Sequence, residues 1–130
     1  MIVVADTSVL LDFLDELIVD PFSMIRPYQL IRISPVALHE VLRVYPDEAQ
    51  DSLFQRLREE LLPAPKLEHW LDAARVLRKL YSRRQRTSVA RMQNDILIAL
   101  SAGEIGAPVW SRDRDFELVC NHLGIGLITK

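Results

Sequence analysis

The feature that most constrains this chain is an alternation of short apolar runs with longer segments of helical spacing. Ile2-Val3-Val4-Ala5 is the first run, residues 30–33 the second, residues 107–111 the third and residues 125–128 the last. Each is too short for a helix and is bounded by turn or capping residues, so each reads as a buried strand. Between them, Asp6-Thr7-Ser8 offers capping oxygens ahead of Val9-Leu10-Leu11, and Ser34-Pro35 places a capping hydroxyl before a proline at the first helical position. Residues 47–62 carry Leu53, Phe54, Leu57 and Leu61 on one face, and Pro63 and Pro65 end them. Residues 67–81 place Leu67, Trp70, Leu71, Ala74, Leu77 and Tyr81 at helical intervals. Residues 82–93 read as a loop or frayed helix end, followed by a helix over 94–102 and a short one ending near His122. Parallel strands need helical crossovers, so the expected fold class is α/β. It is a single domain over residues 1–130, with a central parallel β-sheet of about four strands flanked by helices on both faces.

The chain has 130 residues, of which 49% are hydrophobic and 26% charged, which excludes a disordered tail or a low-complexity scaffold. One cysteine, Cys120, rules out an internal disulfide and a cysteine cage for zinc. A net charge of −2 rules out a bulk polycation, so any contact with nucleic acid needs a local patch. Such a patch is present. Arg75, Arg78, Lys79, Arg83, Arg84, Arg86 and Arg91 follow one another with no Asp or Glu between them. No secretion signal and no membrane-length apolar run is visible, so the expected compartment is the cytoplasm, with no membrane partner.

In an open α/β sheet, ligands bind beyond the carboxyl ends of the strands. Asp6 follows the first run, Glu40 lies in the helix after the second, and Asp113 and Asp115 follow the third. Asp95 stands between the basic segment and the apolar Ile96-Leu97-Ile98-Ala99. Four acidic groups from four segments would thus meet at one edge, which demands a cation or protons. Oxygen donors without His or Cys favour Mg²⁺ or Mn²⁺, and the nearby arginines would hold a nucleic-acid backbone. The residues therefore point to a metal-dependent nuclease. Each acid also has a structural reading: Asp6 and Asp95 as helix N-terminal residues, Glu40 on a solvated face, Asp113 and Asp115 in a turn and cap.

Four segments also resemble the motifs of the PIN domain family. They are Val4-Ala5-Asp6-Thr7-Ser8-Val9-Leu10, Ser34-Pro35-Val36-Ala37-Leu38-His39-Glu40-Val41, Asn94-Asp95-Ile96-Leu97-Ile98-Ala99-Leu100-Ser101-Ala102 and Ser111-Arg112-Asp113-Arg114-Asp115-Phe116. The chain looks most like the VapC type, the ribonuclease toxins of toxin–antitoxin pairs. The resemblance implies a catalytic and metal-binding quartet of Asp6, Glu40, Asp95 and Asp113, supported by Thr7, Ser8, Ser111 and Asp115. It further implies Mg²⁺ or Mn²⁺ as cofactor, an RNA substrate with tRNA one candidate, an antitoxin partner and a homodimer. Ser111 stands where the family commonly has Thr. The Arg-rich stretch is longer than a compact VapC needs, and Arg83, Arg84, Arg86 and Arg91 are the candidate RNA contacts.

Two other readings remain at this level. One is an inactive PIN-fold module that binds RNA or protein. The other is a phosphatase with Asp6 as nucleophile, which lacks the usual second aspartate because Ser8 stands two residues on. His39, His69 and His122 show no ligand spacing, and Cys120 reads as core. Trp70 reads as core or dimer interface, Trp110 as buried first and base-stacking second. Asp12, Asp15, Glu16 and Asp20 read as a solvated acidic face.

Overall fold

Strand β1 (Ile2–Ala5) lies inside a sheet whose order is β2-β1-β3-β4, with every pairing parallel. The computed structural model describes residues 2–15, 30–81 and 89–129. The partners are β2 (Leu30–Ile33), β3 (Val109–Trp110) and β4 (Leu127–Ile128). Six α-helices occur among the described residues: α1 (Thr7–Leu14), α2 (Pro35–Leu42), α3 (Asp47–Leu57), α4 (Leu67–Leu80), α5 (Val89–Glu104) and α6 (Asp115–Leu123). The expected α/β class with four parallel strands is the fold observed. Successive residues of a strand face opposite sides of a sheet. Val3, Val4 and Ala5 are nevertheless all buried, as are Val109 and Trp110, so both faces are covered.

The chain leaves β1 toward β2 on one side and reaches β3 and β4 on the other. The crevice between the carboxyl ends of β1 and β3 is therefore the switch point of the sheet, where such folds bind ligands. Register makes the crevice even: Ala5 pairs with both Ile33 and Trp110. The next residues, Asp6, Ser34 and Ser111, all leave the sheet at one level, and all are buried.

Helix α5 is the buried spine. Ile96, Leu97, Ile98, Ala99 and Ala102 have no exposed surface, which is how a helix apolar on every side must sit. It packs against α4, α6, β1 and β3. It starts at Val89, not at Asn94, because Ala90, Arg91, Met92 and Gln93 are good helix formers that extend it backward. Asp95 is thus in the second turn and is not a cap.

Three further expectations need correction. The last two strands are two-residue cores of the longer runs, limited by the brief pairing of β3 with its neighbours. The 47–62 helix ends at Leu57 and tightens into a 3₁₀ turn over Arg58–Glu60. Leu61 then turns extended and bridges Ile33, and Leu62 N donates to the Ile33 carbonyl at 2.8 Å. Pairing with the sheet edge outweighs the helical pattern. In α4 the buried face is Ala73 and Val76, with Leu77 and Leu80 beside it, while Leu67, Trp70 and Leu71 are exposed. The periodicity was right and its phase was off, because the small Ala73 is what fits against α5. Residues 16–29, with Glu16 and Asp20, lie outside the described residues.

Candidate functional site

Asp6 caps α1: its Oδ1 accepts from Val9 N at 3.0 Å and from the Ser8 hydroxyl at 2.7 Å. Its Oδ2 accepts from the Ser111 hydroxyl at 2.5 Å, across the β1–β3 crevice. The Asp6 N–H donates to the Trp110 carbonyl at 3.0 Å, which extends the ladder by one step. Capping and site membership are thus compatible in one carboxylate. The two serines form a matched pair of bridges. Ser8 Oγ accepts from Arg112 N at 3.0 Å, and Ser111 Oγ accepts from Asp113 N at 2.9 Å. Each hydroxyl accepts a hydrogen bond from the loop after β3 and donates one to Asp6. The bridges fix the height of Asp113 relative to Asp6.

Asp113 Oδ1 accepts from Asp115 N at 3.0 Å, which ties its carboxylate to the first residue of α6. Its Oδ2 accepts from Arg91 Nη2 at 2.6 Å. Glu40, half-buried on α2, receives the Thr7 hydroxyl at 3.0 Å. Arg112 Nε pairs with Asp12 at 2.8 Å, a second brace between that loop and α1. Asp12, read as solvated, is therefore tied to the rim of the site.

Asp95 has no such support. It is 7% exposed, and no hydrogen bond offsets the rise of its carboxyl. Burial pushes its carboxyl up to about 8, and the charges of Asp113, Glu40 and Asp6 add to the rise, offset in part by Arg91. All four candidate acids are thus within electrostatic reach of one another. Burial also raises Asp6, against the hydrogen bonds from Ser111, Ser8 and Val9 that hold it down.

The donor chemistry fits a hard divalent cation: the four candidate side chains offer carboxylate oxygens only, and burial and mutual repulsion oppose the charge of Asp95. Yet among the described residues no three acidic, histidine or cysteine side chains converge closely enough to hold a metal as they stand.

The PIN domain family matches residues 3–121. The chain belongs to the PIN domain family. Two solved structures share this PIN fold. VapBC-1 from nontypeable Haemophilus influenzae superposes with a TM-score of 0.66 at 17% identity, covering 98% of this chain and 96% of that one. VapBC2 from Rickettsia felis, bound to a DNA fragment from its promoter, gives 0.65 at 16% identity, covering 98% and 97%. No curated protein matches the sequence.

The PIN fold brings together Asp6, Thr7, Ser8, Glu40, Asp95, Ser111 and Asp113. The exposed side chain of Asp115 stays at the rim, and its backbone supports Asp113. Arg91 reaches the site, whereas Arg83, Arg84 and Arg86 lie outside the described residues. Two neighbours of the acids were not singled out for the site from sequence. Burial raises the Tyr81 hydroxyl, as do the charges of Asp95, Asp115 and Asp113. Cys120 sits beneath the site, its thiol pushed up to about 11 by burial and then by Asp6 and Asp95. Neither residue carries a local signal, since helix packing alone brings them near. A cleft of about 610 Å³ lies elsewhere, lined in part by His69, Glu104, Pro108 and Gly126. It opens where β3 and β4 begin, and it contains none of the four acids.

Ser111→Ala tests the bridge. It removes the donor to Asp6 and the acceptor for Asp113 N, and the expected loss is about 1–3 kcal/mol in urea unfolding. Ser111→Thr, which keeps the hydroxyl, should recover most of it. Wild-type stability in Ser111→Ala would show that the bridge contributes nothing.

Proposed function

We propose that this PIN domain is a Mg²⁺- or Mn²⁺-dependent endoribonuclease of the VapC type, the toxin of a toxin–antitoxin pair. The observation that supports the reading best is Asp95: a carboxylate only 7% exposed in a PIN fold, pushed up by burial and by the charges of Asp113, Glu40 and Asp6. Such a group needs a cation to be charged at neutral pH. Asp6, Glu40, Asp95 and Asp113 would hold the ion. When bound, it supplies positive charge that polarises a phosphodiester and makes water a stronger nucleophile. The chain's own contribution is positional. Ser8 and Ser111 fix both oxygens of Asp6, Thr7 steadies Glu40, and the Asp115 N–H steadies Asp113.

The two solved relatives are toxin–antitoxin complexes by their names, which supports an antitoxin as partner. A homodimer acting on RNA in the cytoplasm completes the proposal. No helix among the described residues is long and apolar enough to cross a membrane.

The test is cleavage of a total-RNA and tRNA pool with and without Mg²⁺ or Mn²⁺, beside Asp6→Asn. Expected are metal-dependent cuts that the variant reduces at least a hundredfold. Equal cutting by Asp6→Asn would refute the assignment. The second reading, an inactive RNA- or protein-binding module, is favoured by the lack of three converging ligands among the described residues. It predicts no rise in melting temperature with Mn²⁺ and no cutting by folded protein freed of any inhibitor.

A further inference from the structure

Arg91 lies one helical turn before Asp95 on α5, so the two share a face. Its guanidinium spans to the loop after β3 and meets Asp113 Oδ2 at 2.6 Å. The Arg91 side chain is 63% exposed and that of Asp113 20%, so the ion pair lies on the solvent side of the acids. The guanidinium charge also acts on Asp95 and Asp115. Among the described residues, Arg91 is the cation that makes an ion pair with a member of the quartet. The same described residues contain no three converging metal ligands.

A guanidinium and a divalent cation can each satisfy Asp113, and they compete for the same carboxylate oxygen. We propose that Arg91 is a tethered competitor for the metal: it holds Asp113 in the metal-free protein, and on metal binding it is released to grip a phosphate of the RNA backbone. This rests on the metal-dependent ribonuclease reading above and adds a regulatory step to it. Arg suits both partners, because its planar fork matches carboxylate and phosphate alike. Its exposure leaves room to swing, and its position on a buried helix keeps the swing short.

The test is a Mg²⁺ titration of full-length protein carrying ¹⁵N-labelled arginine, with the Arg91 side-chain signal assigned by its loss in Arg91→Lys. Mg²⁺ affinity is read from the same titration in wild type and Arg91→Gln. Affinity for a non-cleavable RNA oligonucleotide is then measured in saturating Mg²⁺. Expected are a shift of the Arg91 signal that saturates with metal binding, and about three- to tenfold tighter Mg²⁺ binding in Arg91→Gln. Weaker RNA binding in that variant should accompany these, with a salt slope reduced by about one. An Arg91 signal unmoved at metal saturation would overturn the proposal while leaving the metal site intact. Unchanged RNA affinity would remove the phosphate half of it. Absence of Mg²⁺ binding in both proteins would instead overturn the metal-dependent reading itself, and this inference with it.

Discussion

Asp95→Asn is expected to abolish metal-dependent RNA cleavage while making the metal-free protein more stable at pH 8. The two effects have one cause. Asp95 ionises near 8 in the folded protein, against 3.8 for an ordinary aspartate, chiefly because it is buried and then because Asp113, Glu40 and Asp6 repel its charge. As pH rises from about 4, the unfolded chain releases this proton first and the folded chain keeps it. The native state therefore binds more protons across that window, and stability falls with rising pH until about 8, where it levels off. Asparagine removes the charge. Its stabilising effect should be near zero at pH 4 and roughly 2–4 kcal/mol at pH 8, allowing for partial relaxation of the site. Mn²⁺ should remove the difference at pH 8 by stabilising wild type alone. Thermal melts at both pH values, with and without Mn²⁺, check all of this. A variant less stable than wild type at pH 8 would show that Asp95 is not a strained carboxylate. Undiminished cleavage would remove it from the catalytic set.

Trp110→Ala is expected to lose about 3–5 kcal/mol, the usual result of emptying a large buried aromatic site. Trp110 is 1% exposed, pairs with Ala5 and Ile128, and accepts the Asp6 N–H through its carbonyl. Domains are typically stable by only about 5–15 kcal/mol, so a large share of the variant should unfold on mild heating. Urea unfolding measures the loss. Trp110→Phe, which keeps most of the volume, should lose much less. The alternative seen in the sequence was a base-stacking tryptophan. That alternative predicts unchanged stability and weakened RNA binding in Trp110→Ala. The burial of the ring supports the first outcome, because a fully covered side chain offers no face to a base.

The local signals were reliable where chemistry is local. Asp6 declared itself by standing between an apolar run and a helix, and it does cap α1. Ser34-Pro35 began a helix as its chemistry requires, and Gly124 ended α6 in the left-handed conformation glycine adopts most easily. The apolar stretch around Ile96 reads as a helix, and the structure buries it completely. Even the four acids could be picked out from their places beside strand ends and helix starts. What failed was phase and extent. Trp70 and Leu71 look like core by spacing, and they are exposed because the neighbouring helix accepts Ala73 and Val76 instead. Residues 58–62 look helical, and they leave the helix because Ile33 offers a backbone partner.

The sequence by itself determined the class of fold, the strand ends and the candidate acids, since apolar period, capping groups and carboxylate type are properties of neighbouring residues. Only the tertiary structure decided that Asp95 stands buried inside a helix, that Ser8 and Ser111 hold Asp6 from both sides, and that Arg91 closes on Asp113. The physical reason is range. Burial and the field of other charges depend on segments far apart in the chain, as the 33-residue span from Thr7 to Glu40 and the 105-residue span from Asp6 to Ser111 illustrate. No spacing rule carries that information, and a parallel sheet supplies it by bringing distant strand ends to one level.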